Sequence, residues 1–375
     1  MVAACELVIP CLNLNANLDF FIQRLGFRVA QISPADDPVM AVVKRDGCAI
    51  RLEQGEYDLP PNSGISIRIR CDQSELATSG STAVAPNGGN SKNAKPKLIL
   101  FDTGLQVLRV LADTPLELPE PVQSLIVTRA APQEDAVAGR AGMLYTDLIP
   151  GRMGGAFIAS DIAIPEGGPV NDYVHFHKIR FQIIYVKAGW VKVVYEDQGD
   201  PFIMHAGDCV IQPPQIRHRV LESSRGLQVI EIGAPAIHDT FGDLELELPN
   251  HNTGVEKDSN RLWEGQRFHF HSNANAIIDS DGVCDLGMEK ASNGVFSLTV
   301  LNFDIDKELD VSHDGELLFF YLLKGSLAFQ EKNDGANSTV LKEGDSCTFP
   351  GGRVYGVRVE KGSQLLKCFV IKAQS

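Results

Sequence analysis

The chain carries one unit of sequence twice. His177 and His313, Tyr185 and Tyr321, and Gly189 and Gly325 are each 136 residues apart. Gly207 and Gly344, and Pro213 and Pro350, are 137 apart, and Gly226 and Gly362 return to 136. Around these landmarks IIYVKAGWVKVVYE answers FFYLLKGSLAFQE, and AGDCVIQPPQIRH answers EGDSCTFPGGRVY. An offset held across so many positions marks a duplicated supersecondary unit. Each copy consists of short apolar runs punctuated by Gly and Pro, with almost no helical periodicity, which predicts a β-sandwich or barrel. The copies lie at about 125–233 and 261–375, joined by a polar linker rich in Pro, Gly and Asn at 234–260. Both faces of 181–186 and 317–323 are apolar. A barrel wall needs only its inner face apolar, so the sister copy or a second subunit, as in a homodimer, is expected to cover the outer one.

Residues 1–113 follow a different grammar. A short apolar run at 6–10 precedes an amphipathic helix at 15–25, with Leu18, Phe21, Ile22 and Leu25 at helical spacing and Gly26 as its stop. Strands are expected at 27–32, 39–44 and 48–53, the last two joined by the turn Arg45-Asp46-Gly47. Residues 65–70 alternate strictly, 73–95 read as a polar loop, and strands resume at 98–101 and 105–111. A proline-spaced linker at 114–121 closes this part. The strand–helix–strands order, with NANLDFFIQRLGF entering the second strand, resembles the glyoxalase and bleomycin-resistance superfamily over about residues 5–112. That superfamily usually binds metal through His and Glu. Here no histidine precedes His175, and Glu53, at a strand end, has no imidazole partner in sequence. A ligand-binding or structural role is therefore expected of this domain.

Composition removes several classes of function. With 34 Lys and Arg against 48 Asp and Glu the net charge is −14, which argues against nucleic acid or an anionic membrane as partner. No run of about 18 apolar residues occurs, so no membrane span is expected. The first residues lack the basic start of a signal peptide. The eight cysteines form no CxxC pair and read as small buried hydrophobes. Together these predict a cytoplasmic protein whose partner is a small molecule.

The chemistry concentrates in the first copy. His175-Phe176-His177 puts two imidazoles on one face of a strand, since side chains alternate with period two. Gln182 and Gly189 follow, and then Gly207, Pro213 and His218. A third imidazole arriving from another strand completes what a transition metal needs, namely converging neutral nitrogens with open positions. Composition alone allows Zn, Fe, Mn, Ni, Co or Cu.

These spacings resemble the paired motifs of the cupin superfamily, G-x5-H-x-H-x4-E-x6-G and G-x5-P-x-G-x2-H. His175, His177, Gly189, Gly207, Pro213 and His218 fall on motif positions. Pro169, Gln182 and Gln215 depart from the Gly, Glu and Gly of the pattern. The resemblance implies a mainly β chain, with two tandem cupin jelly-roll barrels preceded by a small α+β glyoxalase-like domain. It implies a metal held by His175, His177, Gln182 and His218, with Fe the first expectation and Mn, Ni or Zn as alternatives. Gln182 is the informative departure. An amide carbonyl can coordinate but is neutral, so three imidazoles and an amide leave the ion's charge uncompensated and favour an anionic ligand. The substitution also removes a residue that serves as base in some cupins.

Around this set, Arg180 shares the parity of Gln182 and is a candidate for a substrate anion, whereas Arg217 and Arg219 flank His218 and should face away. Tyr173 is a candidate at the cavity mouth, and Ile184 and Val186 would form an apolar wall. In the second copy Val311, His313, Leu318 and Tyr355 replace the four site residues, leaving a structural barrel or a metal-free pocket. His269-Phe270-His271 imitates the pair but lies far upstream of the motif and reads as a polar strand face. His205 and His238 read as turn or surface residues. The leading expectation is a metal-dependent dioxygenase acting on a small organic acid or dicarbonyl. The alternatives are a non-catalytic sensor and a metal-dependent isomerase or lyase.

Overall fold

A computed structural model describes residues 7–34, 38–55, 66–71, 97–100, 106–111, 116–130, 135–138, 143–243, 245–250, 261–332 and 338–372. The expected loop at 73–95, the end of the linker at 251–260 and His251 lie outside the described residues. Among the described residues no helix is long and apolar enough to cross a membrane. The chain divides into two compact units, Met1–Pro115 and Leu116–Ser375.

The first unit is α+β. Strands β1 (Leu7–Cys11), β2 (Arg28–Ser33), β3 (Met40–Arg45) and β4 (Cys48–Gln54) form a sheet in the order β1-β4-β3-β2. Asp46 and Gly47 both take positive φ, as a two-residue hairpin between twisted strands requires. The helix begins at Leu14–Asp19, where the Asn13 side chain accepts the Ala16 N–H at 3.0 Å, and ends in a wider turn over Phe20–Arg24. Its apolar stripe of Leu14, Leu18, Phe21 and Leu25 packs on Ile9, Ala41, Val43, Ile50 and Leu52. Strands β5 (Ser66–Cys71), β6 (Lys97–Leu100) and β7 (Gln106–Leu111) make a second sheet, order β5-β7-β6. Glu53 is ion-paired with Arg51 at 2.6 Å.

The second unit opens with β8 (Ile126–Thr128), β9 (Val137–Ala138) and β10 (Leu144–Asp147). Then come β11 (Ile158–Ile164), β12 (Gly168–Pro169), β13 (His175–His177), β14 (Phe181–Ala188), β15 (Trp190–Tyr195), β16 (Phe202–His205), β17 (Cys209–Gln212), β18 (His218–Ser223), β19 (Leu227–Ala234) and β20 (Thr240–Gly242). One sheet runs β17-β14-β19-β11 and continues through β10 to β9; its partner runs β16-β15-β18-β13-β20. This is the interleaved strand order of a jelly roll. Part of the expected linker therefore belongs to the first barrel, because β20 pairs with β13.

The order recurs in the second copy. Its strands are β21 (His269–His271), β22 (Val283–Asp285), β23 (Phe296–Asn302), β24 (Lys307–Val311), β25 (Leu317–Lys324), β26 (Ser326–Glu331), β27 (Thr339–Lys342), β28 (Ser346–Phe349), β29 (Tyr355–Val359) and β30 (Gln364–Val370). One sheet reads β23-β30-β25-β28, the other β24-β29-β26-β27. The chain is mainly β, with two tandem jelly rolls.

The barrels exchange their leading strands, which the repeat boundaries do not reveal. β8 opens the first copy yet pairs with β28 of the second, and β21 opens the second yet pairs with β17 of the first. The Gly-Asp turn common to both copies grips each exchanged arm. Asp208 accepts the Asn273 N–H at 2.7 Å, and Asp345 accepts the Ala130 N–H at 2.8 Å. Gly207 and Gly344, at φ of 92° and 87°, lie where the arms cross; a Cβ would meet Asn273 at 2.5 Å and Ala130 at 2.9 Å. Both glycines are needed for conformation and for space.

The outer faces of β14 and β25 cover each other. Phe181, Ile183 and Tyr185 join Phe296, Phe319 and Tyr321 in one buried cluster, with the Phe181 and Phe296 rings 4.5 Å apart. Each such side chain contributes roughly 1.5–3 kcal/mol on burial. The sister copy thus supplies the cover that the apolar strands require. The barrel interiors differ. In the second, Val311, Leu318 and Tyr355 are packed into a continuous apolar core with Phe320, Phe329 and Phe349, and His313 is turned to the Phe349 carbonyl at 2.6 Å. In the first, the core stops short and a cavity opens.

Candidate metal centre

The cavity measures about 260 Å³. The register of the sheets builds it. His175 and His177 alternate on β13, and His175 is the cross-strand partner of His218 at the start of β18, so a separation of 43 positions collapses to one ladder position. The candidate ligand atoms of the three imidazoles all lie within 4.8 Å of one another. His175 and His218 are buried, while His177 is half-buried. Ring centroids are 4.2 Å apart for His175 and His218, and 5.2 and 5.3 Å from His177 to each.

Every ring is held from behind. His175 Nδ1 donates to the Tyr173 carbonyl at 2.8 Å and His218 Nδ1 to the Ile216 carbonyl at 3.0 Å. A carbonyl only accepts, so both Nδ1 atoms carry a proton, and in the neutral rings the lone pair is on Nε2. His177 Nδ1 meets Thr240 Oγ1 at 2.8 Å, Thr240 being its cross-strand partner on β20. The buried Asp172 carboxylate stands 3.7 Å from His175 Nδ1 and also accepts the Val220 N–H. Such outer contacts fix the orientation and raise the basicity of a ligating imidazole. The residues therefore fit a divalent transition ion, with Nε2 of each ring as donor.

A polar row crosses the cavity wall on three adjacent strands. Gln182 on β14 is 3% exposed and lies directly opposite Gln212 on β17. On its other side its amide Nε2 donates to Glu231 on β19. Gln212 donates to the Tyr195 hydroxyl at 2.9 Å, and the Tyr195 ring stacks on His218 at 5.6 Å. Burial pushes the Tyr195 phenol well above its ordinary range, so it is a neutral hydrogen-bonding group. Glu231, Gln212, Asp172 and Thr240 were not singled out by sequence. For Glu231 a signal existed. Leu227 and Val229 face the barrel interior while Ile230 and Ile232 face the sister barrel, so the parity of LQVIEIGA turns its one acid inward.

The remaining sequence candidates sort as follows. Ile184 lines the cavity, whereas Val186 is fully buried in the apolar core beyond it. Tyr173 holds His175 through its backbone, and its ring, 48% exposed, is 5.8 Å from the His175 ring, outside the lining. Arg180 is not at the cavity. It precedes β14, where it donates to Glu316 at 2.6 and 3.3 Å, so it does not share the inward parity of Gln182. Arg217 faces away as expected, stacked 4.1 Å over Phe176 and paired with Asp243, but Arg219, expected to do the same, lines the cavity. His238, expected on a turn or the surface, is half-buried, lines the cavity and lies 5.4 Å from the His177 ring. His205 is exposed. His269 and His271 stay away from the triad; Phe268, just before their strand, packs in the first barrel, 4.6 Å from Tyr195.

Fold and site together define a tandem jelly-roll protein with a three-imidazole pocket in its first barrel. No family model matches the chain, and no curated protein matches it. Among solved structures, protein Ylba from E. coli is 12% identical with a TM-score of 0.48, covering 70% of this chain and 96% of that one. Salicylate 1,2-dioxygenase from Pseudaminobacter salicylatoxidans is 13% identical with a TM-score of 0.47, covering 68% and 87%. A Lactobacillus farciminis oxalate decarboxylase–formate complex is 15% identical with a TM-score of 0.46, covering 66% and 87%. The jelly-roll fold is defined by the strand order of the two barrels.

Proposed function

We propose that the first barrel is the active site of a metal-dependent cupin enzyme acting on a small anionic molecule, an organic acid or a dicarbonyl. The observation that carries this is the tethering of the triad, with Nδ1 of His175 and His218 committed to backbone carbonyls and both Nε2 atoms left as donors. His175, His177 and His218 would hold the ion, with the Gln182 carbonyl as fourth donor and Fe(II) as first candidate over Mn, Ni or Zn. A bound divalent ion would supply Lewis-acid polarisation of a substrate oxygen and, for Fe(II), access to O₂ chemistry. The cavity of about 260 Å³ sits at the low end of small-molecule sites, which limits the substrate to a compact molecule. Ile184 and its apolar neighbours exclude water. A Glu231 carboxylate offsets one of the ion's two charges, so the site keeps a net attraction for a single anionic group.

A dioxygenase is the first reading. An isomerase or lyase is the second, because Glu231 places a proton acceptor in the cavity that a reaction without O₂ would need. Elemental analysis of untagged protein beside His175→Ala/His177→Ala tests the centre. Near-stoichiometric metal lost in the mutant is expected; low metal, equal in both, would leave a ligand-binding protein. Oxygen uptake with small acids and dicarbonyls then separates the two reactions. For the N-terminal unit the same reading retains the glyoxalase-like resemblance and assigns ligand binding or a structural role, since Glu53 is engaged by Arg51.

A further inference from the structure

An amide side chain has two unlike ends, and only the oxygen can face a cation. Which end of Gln182 is presented to the imidazoles therefore depends on what holds the other. The geometry points to Glu231 as the positioning residue that settles this: it takes the Gln182 amide N–H and so turns the carbonyl oxygen toward the triad as the fourth donor. This rests on the reading of the triad as a metal centre.

Three observations support it. Gln182 Nε2 donates to Glu231 Oε1 from the neighbouring strand. Gln182 Oε1 is buried and accepts no hydrogen bond from any described residue. An acceptor with no donor, in a residue 3% exposed, is an arrangement that a cation satisfies. Both side chains line the same cavity as the three histidines. The carboxylate that the sequence motif lacks at Gln182 is thereby present one residue farther out, acting through the amide.

The test uses Co(II), whose visible spectrum reports ligand number and type, on the full-length protein. Wild type is expected to bind one Co(II). Glu231→Gln, in which the partner amide no longer dictates the orientation, is expected to weaken Co(II) roughly 10–100-fold and to shift the spectrum. The exchange variant Gln182→Glu/Glu231→Gln restores a carboxylate to the triad with the hydrogen bond reversed, and is expected to recover wild-type affinity or better. Recovery also shows that Glu231→Gln had not lost affinity by misfolding. Wild-type affinity and spectrum in Glu231→Gln would overturn the positioning role. So would Gln182→Ala binding like wild type while Glu231→Ala does not, which would make Glu231 itself the ligand. Equal Co(II) uptake by wild type and His175→Ala/His177→Ala would instead overturn the reading of the triad, and the positioning role with it.

Discussion

Arg180 donates two hydrogen bonds to Glu316, and the two residues are the same position in the two copies of the repeat, 136 residues apart. The contact therefore lies at the pseudo-twofold axis relating the barrels. In a symmetric pair of identical barrels a residue on the axis meets its own copy. Here duplication within one chain has let the two copies of that position diverge into opposite charges, and the resulting pair is largely shielded, at 17% and 16% exposure.

Breaking this pair takes the guanidinium from a shielded carboxylate. Arg180→Ala is expected to lower unfolding free energy by about 2 kcal/mol, below the range for fully buried pairs because some solvent remains. Arg180→Glu/Glu316→Arg is expected to recover much of the loss of Arg180→Glu, read as coupling in a denaturant double-mutant cycle. Metal content should not change in any of these variants, because Arg180 is not among the residues lining the cavity.

Thr240→Val removes the partner of His177 Nδ1 while keeping the strand. Metal affinity, measured by competition with a chromophoric chelator, is expected to fall about tenfold, the low end for such contacts because Thr240 is exposed. An unchanged affinity would mean that His177 is held in place by its strand alone.

Burial raises the phenols of Tyr185, Tyr195 and Tyr321 far above the ordinary value. The folded chain keeps these protons where the unfolded chain loses them, so stability is complete below about pH 10 and falls as pH rises past it. Absorbance at alkaline pH should show these three tyrosines silent until the protein unfolds, then titrating with the transition. Titration before unfolding would contradict their enclosure.

Asp345 works in the other direction. Burial alone would raise its carboxyl, but the N–H groups of Ala130 and Lys342 and the Arg129 guanidinium outweigh it and hold it below the usual range. Its contribution is present above the unfolded value of about 3.9 and is lost as pH falls through the folded one. Asp345→Asn is expected to cost about 1 kcal/mol at neutral pH, with the gap from wild type closing in acid. Urea midpoints at two pH values decide it.

The triad is legible in sequence because His175, His177 and His218 carry their spacing within two short motifs. Thr240 and Gln212 are not, since each reaches the cavity through cross-strand register, a relation between residues that sequence distance does not encode, and for Glu231 only the parity of its strand gives a sign. Arg180 misleads for a related reason: parity holds within a strand, and Arg180 stands just before β14, where Glu316 captures it. The helix at the N-terminus is legible from its apolar stripe and Gly26. The exchanged arms are not, because IVT and HFH are three residues each and nothing in so short a strand names its partner.

That exchange also governs how the chain can be made. A ribosome delivers β8 about two hundred residues before β28, its partner, and finishes the first barrel's own strands before β21 arrives to flank β17. During synthesis the first barrel waits with an open edge, and so does β8. The two barrels are thus not separable modules: a cut between them leaves each half holding a strand that belongs to the other, and only chains carrying both copies can close either one.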